Sequence, residues 1–228
     1  MKKFGFTLAE VLITLGIIGV VAALTIPALI QHYKKQETST RLKRFYSVMQ
    51  QAIKMSEVDN GDSLEWYKPD QKLNDDGKYD YDVNGTYGKE FFMKYLAPYI
   101  KYNKITDGKS TVDEDGNPSG EYTKVYFADG STASIFVGSC YDIIFDSNGE
   151  RKPNETGRDI FRFVVCNGSY NEAITCGGNT KKTFCPYVWR NEPRDVRLRR
   201  CKEESAAYCS GLLFLDNWEF KDDYPIKL

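Results

Sequence analysis

The chain opens MKKFGFTLAEVLITLGIIGVVAALTIPALI, residues 1–30, and the reading of that stretch governs the rest. From Phe6 to Ile30 it is apolar apart from Glu10 and a few threonines. A helix of this length crosses a hydrocarbon core of about 30 Å, and its backbone polar groups are satisfied internally. Lys2 and Lys3 precede the run, which holds a short N-terminus in the cytoplasm and sends the following domain outward. Glu10 is the anomaly, because a carboxylate in a lipid-spanning helix costs roughly 2.5–3.5 kcal/mol and needs a partner. No partner is evident nearby in the chain.

Two ordinary explanations compete. A secretory signal has a basic start, an apolar core and a small-residue cleavage site, which Val21-Ala22-Ala23 supplies. This apolar core is too long for one and contains Glu10. A plain transmembrane anchor accounts for the length but not for Gly5 or Glu10. A basic leader ending in Gly5, then Phe6-Thr7-Leu8-Ala9-Glu10 and a long apolar run, resembles the prepilin signature of type IV pilins and type II secretion pseudopilins. The resemblance implies cleavage after Gly5 by a membrane-embedded prepilin peptidase and N-methylation of Phe6. It also implies that Glu10 is paired with the Phe6 amine of a neighbouring subunit and so sets register during assembly. Ala9 departs from the bulkier apolar residue common in the family, away from the cleavage and charge positions. Gly16, Gly19 and Pro27 weaken the helix. In related filaments the segment matching residues 19–27 unwinds, whereas a kinked membrane helix needs no more than these residues.

The chain thus divides into a leader at 1–5, a transmembrane or filament-core helix at 6–30 and an exported pilin-like globular domain at 31–228. Its length of 228 residues leaves one domain with its own core beyond the anchor. The charge is nearly balanced, 31 basic against 32 acidic side chains, so no global field draws the protein to nucleic acid or anionic lipid. Six cysteines, Cys140, Cys166, Cys176, Cys185, Cys201 and Cys209, lie in the C-terminal half without a C-x-x-C pair. In an exported domain an even number reads as a disulfide framework rather than zinc or redox chemistry. Sequential pairing of the last four closes the shortest loops, but sequence alone does not choose among fifteen connectivities.

Beyond Ile30, Leu42, Phe45, Tyr46, Met49 and Ile53 recur at three- and four-residue spacing, which predicts an amphipathic continuation of the same helix to about residue 57. Its apolar stripe requires a covering layer. Residues 61–88, with Asp75-Asp76-Gly77 and Asn84-Gly85 as turn signals, read as a surface loop, and residues 89–99 as a short helix ending near Pro98. Residues 112–120 read as another turn-rich loop. Strands are predicted at 122–128 and 132–137 around Asp129-Gly130, and at 140–146 and 160–166. Setting Asp146 opposite Ile160 in antiparallel register brings Tyr141, Ile143 and Phe145 against Val165, Phe163 and Phe161. One face becomes wholly apolar, and Cys140 meets Cys166 on the other. The expected architecture is α+β and pilin-like: a long N-terminal helix packed on a small antiparallel sheet, with a disulfide-rich C-terminal region. Residues 212–215 read as a last strand.

The loop between the last two predicted strands has the pattern D-x-N-G-x-x-x-P-N-x-x-G-x-D, which resembles a loop of pilin-like proteins. Asp146, Asn148 and Asp159 offer hard oxygen ligands, and related pseudopilins bind calcium in a C-terminal loop, so calcium is one expectation here. The alternative is a turn in which Asn and Asp satisfy their own backbone. Elsewhere the lone histidine, His32, and the lack of phosphate-cradling glycine motifs leave no catalytic constellation. No enzymatic activity is expected. Arg194, Arg197, Arg199, Arg200 and Lys202 form a basic cluster that would grip nucleic acid, as in pilins serving DNA uptake, or else pair with acids such as Glu203 and Glu204. The family resemblance implies a structural subunit, a minor pilin or pseudopilin, whose partners are prepilin peptidase, other pilin subunits, an assembly platform and ATPase, and the inner membrane. A ligand-binding pilin for adhesion or DNA uptake, or an anchored enzyme, are the alternatives.

Overall fold

The computed structural model describes residues 7–112, 118–167, 176, 183–188 and 190–228. Gly5 and Phe6, the expected processing positions, lie outside these residues. The chain begins with helix α1, Leu8–Asn60, 53 residues and so about 80 Å long at a rise of about 1.5 Å per residue. In the single chain it runs unbroken through Gly16, Gly19 and Pro27. Pro27 withdraws one donor from the helical ladder, and the neighbouring Thr25 hydroxyl adds a bond to Val21 O (2.9 Å). A ladder short of one donor and otherwise intact holds together without a neighbouring subunit.

The outer half of α1 packs on a six-stranded antiparallel sheet. The strands are β1 (Tyr102–Thr106), β4 (Thr123–Phe127), β5 (Thr132–Val137), β6 (Tyr141–Asp146), β7 (Ile160–Val165) and β8 (Phe184–Pro186), adjacent in that order. The β6–β7 register sets Asp146 opposite Ile160, Phe145 opposite Phe161 and Tyr141 opposite Val165, as the apolar pattern requires. Side chains from β4 to β8 meet Leu42, Phe45, Met49, Ala52 and Ile53 of α1 in one buried core. Phe45 is central. Its ring stacks on Phe145 at 4.0 Å and lies edge-on to Phe163 at 5.1 Å.

Helix α2 (Tyr81–Phe91) begins well before the predicted position, continues through a π-helical turn at Phe92–Leu96, and covers the rest of the same face. Asp80 caps it by accepting from Val83 N. Asn84-Gly85, read as a turn, lies inside this helix because its residues serve tertiary contacts. The buried Asn84 amide bonds the Lys72 backbone through both its oxygen and its nitrogen. A Cβ on Gly85 would stand 2.7 Å from Gly108 Cα, and one on Gly88 would stand 2.9 Å from Ile135 O, so the helix lies against the chain only with glycine there. Of residues 112–120, the ends belong to paired antiparallel strands, β2 (Lys109–Val112) and β3 (Pro118–Glu121), while 113–117 lie outside the described residues.

The C-terminal region holds disulfides Cys140–Cys166, Cys176–Cys185 and Cys201–Cys209. The first lies on the outer face with Val164. Residues 212–215 are helical, not a strand: α4 (Cys209–Leu215) follows α3 (Arg194–Arg199) and the π-helical turn Arg200–Glu204. Five consecutive positions, Cys209 to Leu213, are buried, so that stretch has no period from which strand and helix can be told apart. Ser210 Oγ accepts from Arg162 N of β7, and Gly211 O accepts from the buried Arg197 guanidinium.

If the Phe45 stack organises the domain, Phe45→Ala will cost about 3–5 kcal/mol in denaturant unfolding, the range for a buried aromatic truncated to Ala. Met55→Ala, on the exposed side of the same helix, will stay within about 0.5 kcal/mol of the parent.

Candidate functional site

At the start of α1, Thr7 is the N-cap. Its hydroxyl oxygen accepts from Glu10 N at 3.3 Å, while the Glu10 carboxylate accepts from Thr7 N at 2.8 Å and Thr7 Oγ1 at 2.7 Å. This is a capping box, and it corrects the expectation that Glu10 lacks a nearby partner. Thr7-x-x-Glu10 is a legible sequence signature of that box. The partner is a hydrogen-bond donor without charge, so the negative charge of Glu10 is not neutralised among the described residues.

From Leu8 to Ile30 the described side chains are exposed, with Ala22 alone half-buried. None of the most apolar window of α1 is covered by the rest of the chain. Burial begins at Leu42. One helix therefore presents two different surfaces, a bare apolar rod and a stripe sealed by the sheet. Gly16 and Gly19 lie on the bare half, with nothing within 4 Å of an added Cβ.

The junction between the halves is a rim of turns at the end of the sheet. Arg41 reaches from α1 to Ser147 O (2.9 Å) and Asp129 O (3.2 Å), tying loop 147–159 and the β4–β5 turn to the helix. Arg44 adds an ion pair to Asp129 at 3.5 Å. Sequence reasoning assigned Arg41 no role, because its acceptors are backbone carbonyls about ninety and a hundred residues away.

The structure does bring Asp146, Asn148 and Asp159 together. Asp159 is buried, and its Oδ2 accepts from Asn148 Nδ2 (2.9 Å) and Asn154 N (2.9 Å), while Oδ1 accepts from Glu155 N (2.6 Å). Asp146 Oδ1 accepts from Asn148 N (3.1 Å). Asn148 Oδ1 is buried and unpartnered. A calcium ion needs six to eight converging oxygens. Here both oxygens of the innermost carboxylate are already held by N–H donors, and among the described residues no three His, Cys, Asp or Glu side chains group as metal ligands. The residues do not fit calcium in this arrangement; they fit an Asx-stapled loop.

The basic cluster is largely turned to internal use. Arg194 grips Asp216 through Nε (2.6 Å) and Nη2 (2.8 Å), and Asp223 through Nη1 (2.7 Å). Burial works against charge on Asp216, but the hydrogen bonds from Arg194 and Lys221 prevail and hold its carboxyl below the usual range. Arg197 is buried, and Arg200 is clamped by Glu192 and Glu204. A row of phosphates would meet Arg199 and Lys202, with the strongest cations already engaged.

Burial pushes the Asp146 carboxyl up to about 6, opposed by the Asn148 N–H and reinforced by the charge on Asp159. A folded carboxyl that holds its proton to higher pH than the unfolded one favours folding at low pH and loses that advantage as pH rises toward about 6. Asp146→Asn will therefore raise unfolding stability above pH 6 by on the order of 1 kcal/mol, a figure discounted for the solvent-facing part of the group, and the gain will vanish near about pH 4. Excess calcium will leave the thermal midpoint of the parent chain unchanged.

Comparison with known proteins places two family matches on this geometry. A prokaryotic N-terminal methylation motif matches residues 1–26, the type IV pilin and pseudopilin signature, and covers Gly5, Phe6, the capping box and most of the bare apolar helix. A family of unknown function, DUF6613, matches residues 28–228, the outer half of α1 and everything packed on it. No curated protein and no solved structure matches. The chain carries the pilin-like precursor signature that prepilin peptidase processes, and it belongs to the family of unknown function DUF6613.

Proposed function

We propose that this chain is a structural subunit, a minor pilin or pseudopilin, of a type IV pilus or type II secretion-like filament. In this reading prepilin peptidase cuts after Gly5 and methylates Phe6. The mature chain waits in the inner membrane with its C-terminal domain outside, until an assembly platform and ATPase draw it into the filament. Its role is structural and not catalytic.

The observation that carries the reading is the bare apolar half of α1 with an un-neutralised carboxylate near its tip. Two solvents suit such a rod: lipid, or a bundle of identical rods. In the bundle the Phe6 amine freed by cleavage is a cation of the right size and depth for Glu10, and a paired charge is tolerated where a lone one is costly. Methylation leaves that amine charged. The capping box adds to this by fixing the rotamer of Glu10 before a neighbour arrives. The three disulfides suit a domain that matures outside the cytoplasm.

The test separates charge from capping. In a host with the cognate peptidase and platform, intact mass will show a mature chain beginning at Phe6 with one added methyl, and Gly5→Leu will remain uncut. Glu10→Gln keeps an acceptor for Thr7 but removes the charge; it will be processed and yet absent from sheared filaments, as will Glu10→Ala. Assembly of the Gln variant at the parental level would show that capping suffices and would remove the charge-pairing reading.

A further inference from the structure

Lys34, Arg41, Arg151, Lys152 and Arg158 line one cavity of about 200 Å³ at the junction between the bare and the covered halves of α1. Its acidic side chains are Glu37, held by Arg41 at 3.0 Å, and Asp159, whose oxygens are taken by N–H donors. Arg158 pairs with Glu155, while no ion pair joins Lys34, Arg151 or Lys152 to a described carboxylate. The cations are gathered by construction. Arg41 fastens the loop to the helix, and the Asp159 staple folds that loop so that Arg151, Lys152 and Arg158 come beside Lys34.

Position selects the occupant. Lys34 lies four residues beyond Ile30, the last residue of the apolar run, a rise of about 6 Å. The headgroup layer on each side of a bilayer is about 5–7 Å deep. The Lys34 end of the cavity therefore sits at the depth of lipid phosphates when the bare helix spans a membrane, and Arg41 stands about 16 Å beyond Ile30 on its outer side. The cavity cations left without an ion pair, Lys34, Arg151 and Lys152, match an anionic headgroup.

We infer that this cavity is a membrane-proximal site for an anionic phospholipid headgroup, with phosphatidylglycerol as its probe, which seats the domain on the leaflet while the subunit waits for assembly. The inference rests on the anchored topology proposed above. Lipid held there stabilises the waiting state and must be released when the helix leaves the membrane.

Native mass spectrometry of the full-length chain in detergent, titrated with phosphatidylglycerol or phosphatidylcholine, tests it. Phosphatidylglycerol will be retained and phosphatidylcholine will not. Lys34→Ala with Lys152→Ala will weaken phosphatidylglycerol binding more than about tenfold, at about fivefold or so for each cation lost near a membrane surface. The pair Lys54→Ala with Lys101→Ala, equal in charge and away from the rim, will leave it unchanged. Equal retention of both lipids, an unaffected rim variant, or an equal loss in the control pair overturns the lipid site. So does full displacement by soluble glycerol phosphate, which would mark a free-anion site. Flotation with liposomes separates the two levels. A chain that floats but shows no lipid preference defeats this inference alone, and one that fails to float defeats the anchored topology as well.

Discussion

Phe45 seated on the aromatic face of the sheet is the contact on which the fold depends, because it divides one continuous helix between two solvents. From Leu8 to Ile30, α1 offers apolar surface that nothing in the chain covers. Around Phe45 the same helix is a core element, with Leu42, Met49 and Ile53 sealed beneath β4 to β8. The sheet covers only the outer part of a helix about 80 Å long, which leaves its N-terminal apolar part exposed.

The junction is built with polar chemistry suited to that division. Arg41 spends its donors on carbonyls of two separate turns, so the rim loops move with the helix and not with solvent. Asp159 gathers three N–H donors in the same loop, which rigidifies it and removes the carboxylate from other use. The loop thereby hides Asp159 and displays Arg151 and Lys152, while its exposed acids Glu150 and Glu155 pair with Lys124 and Arg158.

In the C-terminal region, little regular structure is held by cross-links and buried ion pairs. Cys201–Cys209 ties the π-helical turn to the start of α4 in a buried cluster with Leu212, and Arg194 locks α3 to the chain near Asp216 and Asp223. Without Arg194 the buried Asp216 carboxylate would keep Lys221, at 2.9 Å, as its remaining cation. A run of arginines that resembles a nucleic-acid grip in sequence is thus mostly an internal brace.

By itself, the sequence determined the elements whose information is local or periodic. The apolar run and the stripe at Phe45, Met49 and Ile53 announced α1, and alternation along residues 141–146 and 160–165 set a register in which a one-residue slip would expose every core side chain. The Cys140–Cys166 pairing followed from that register. Only the tertiary structure decided what depends on distant partners. Asn84-Gly85 became helical because Gly108 and Lys72 occupy the space and the hydrogen bonds that a turn would have used. Residues 212–215 are part of α4, and a four-residue apolar run is too short for its period to separate strand from helix. Arg41 and Asp159 acquired their roles from backbone groups that no pattern of side chains encodes, since every residue offers the same carbonyl and amide until the fold selects which ones come near.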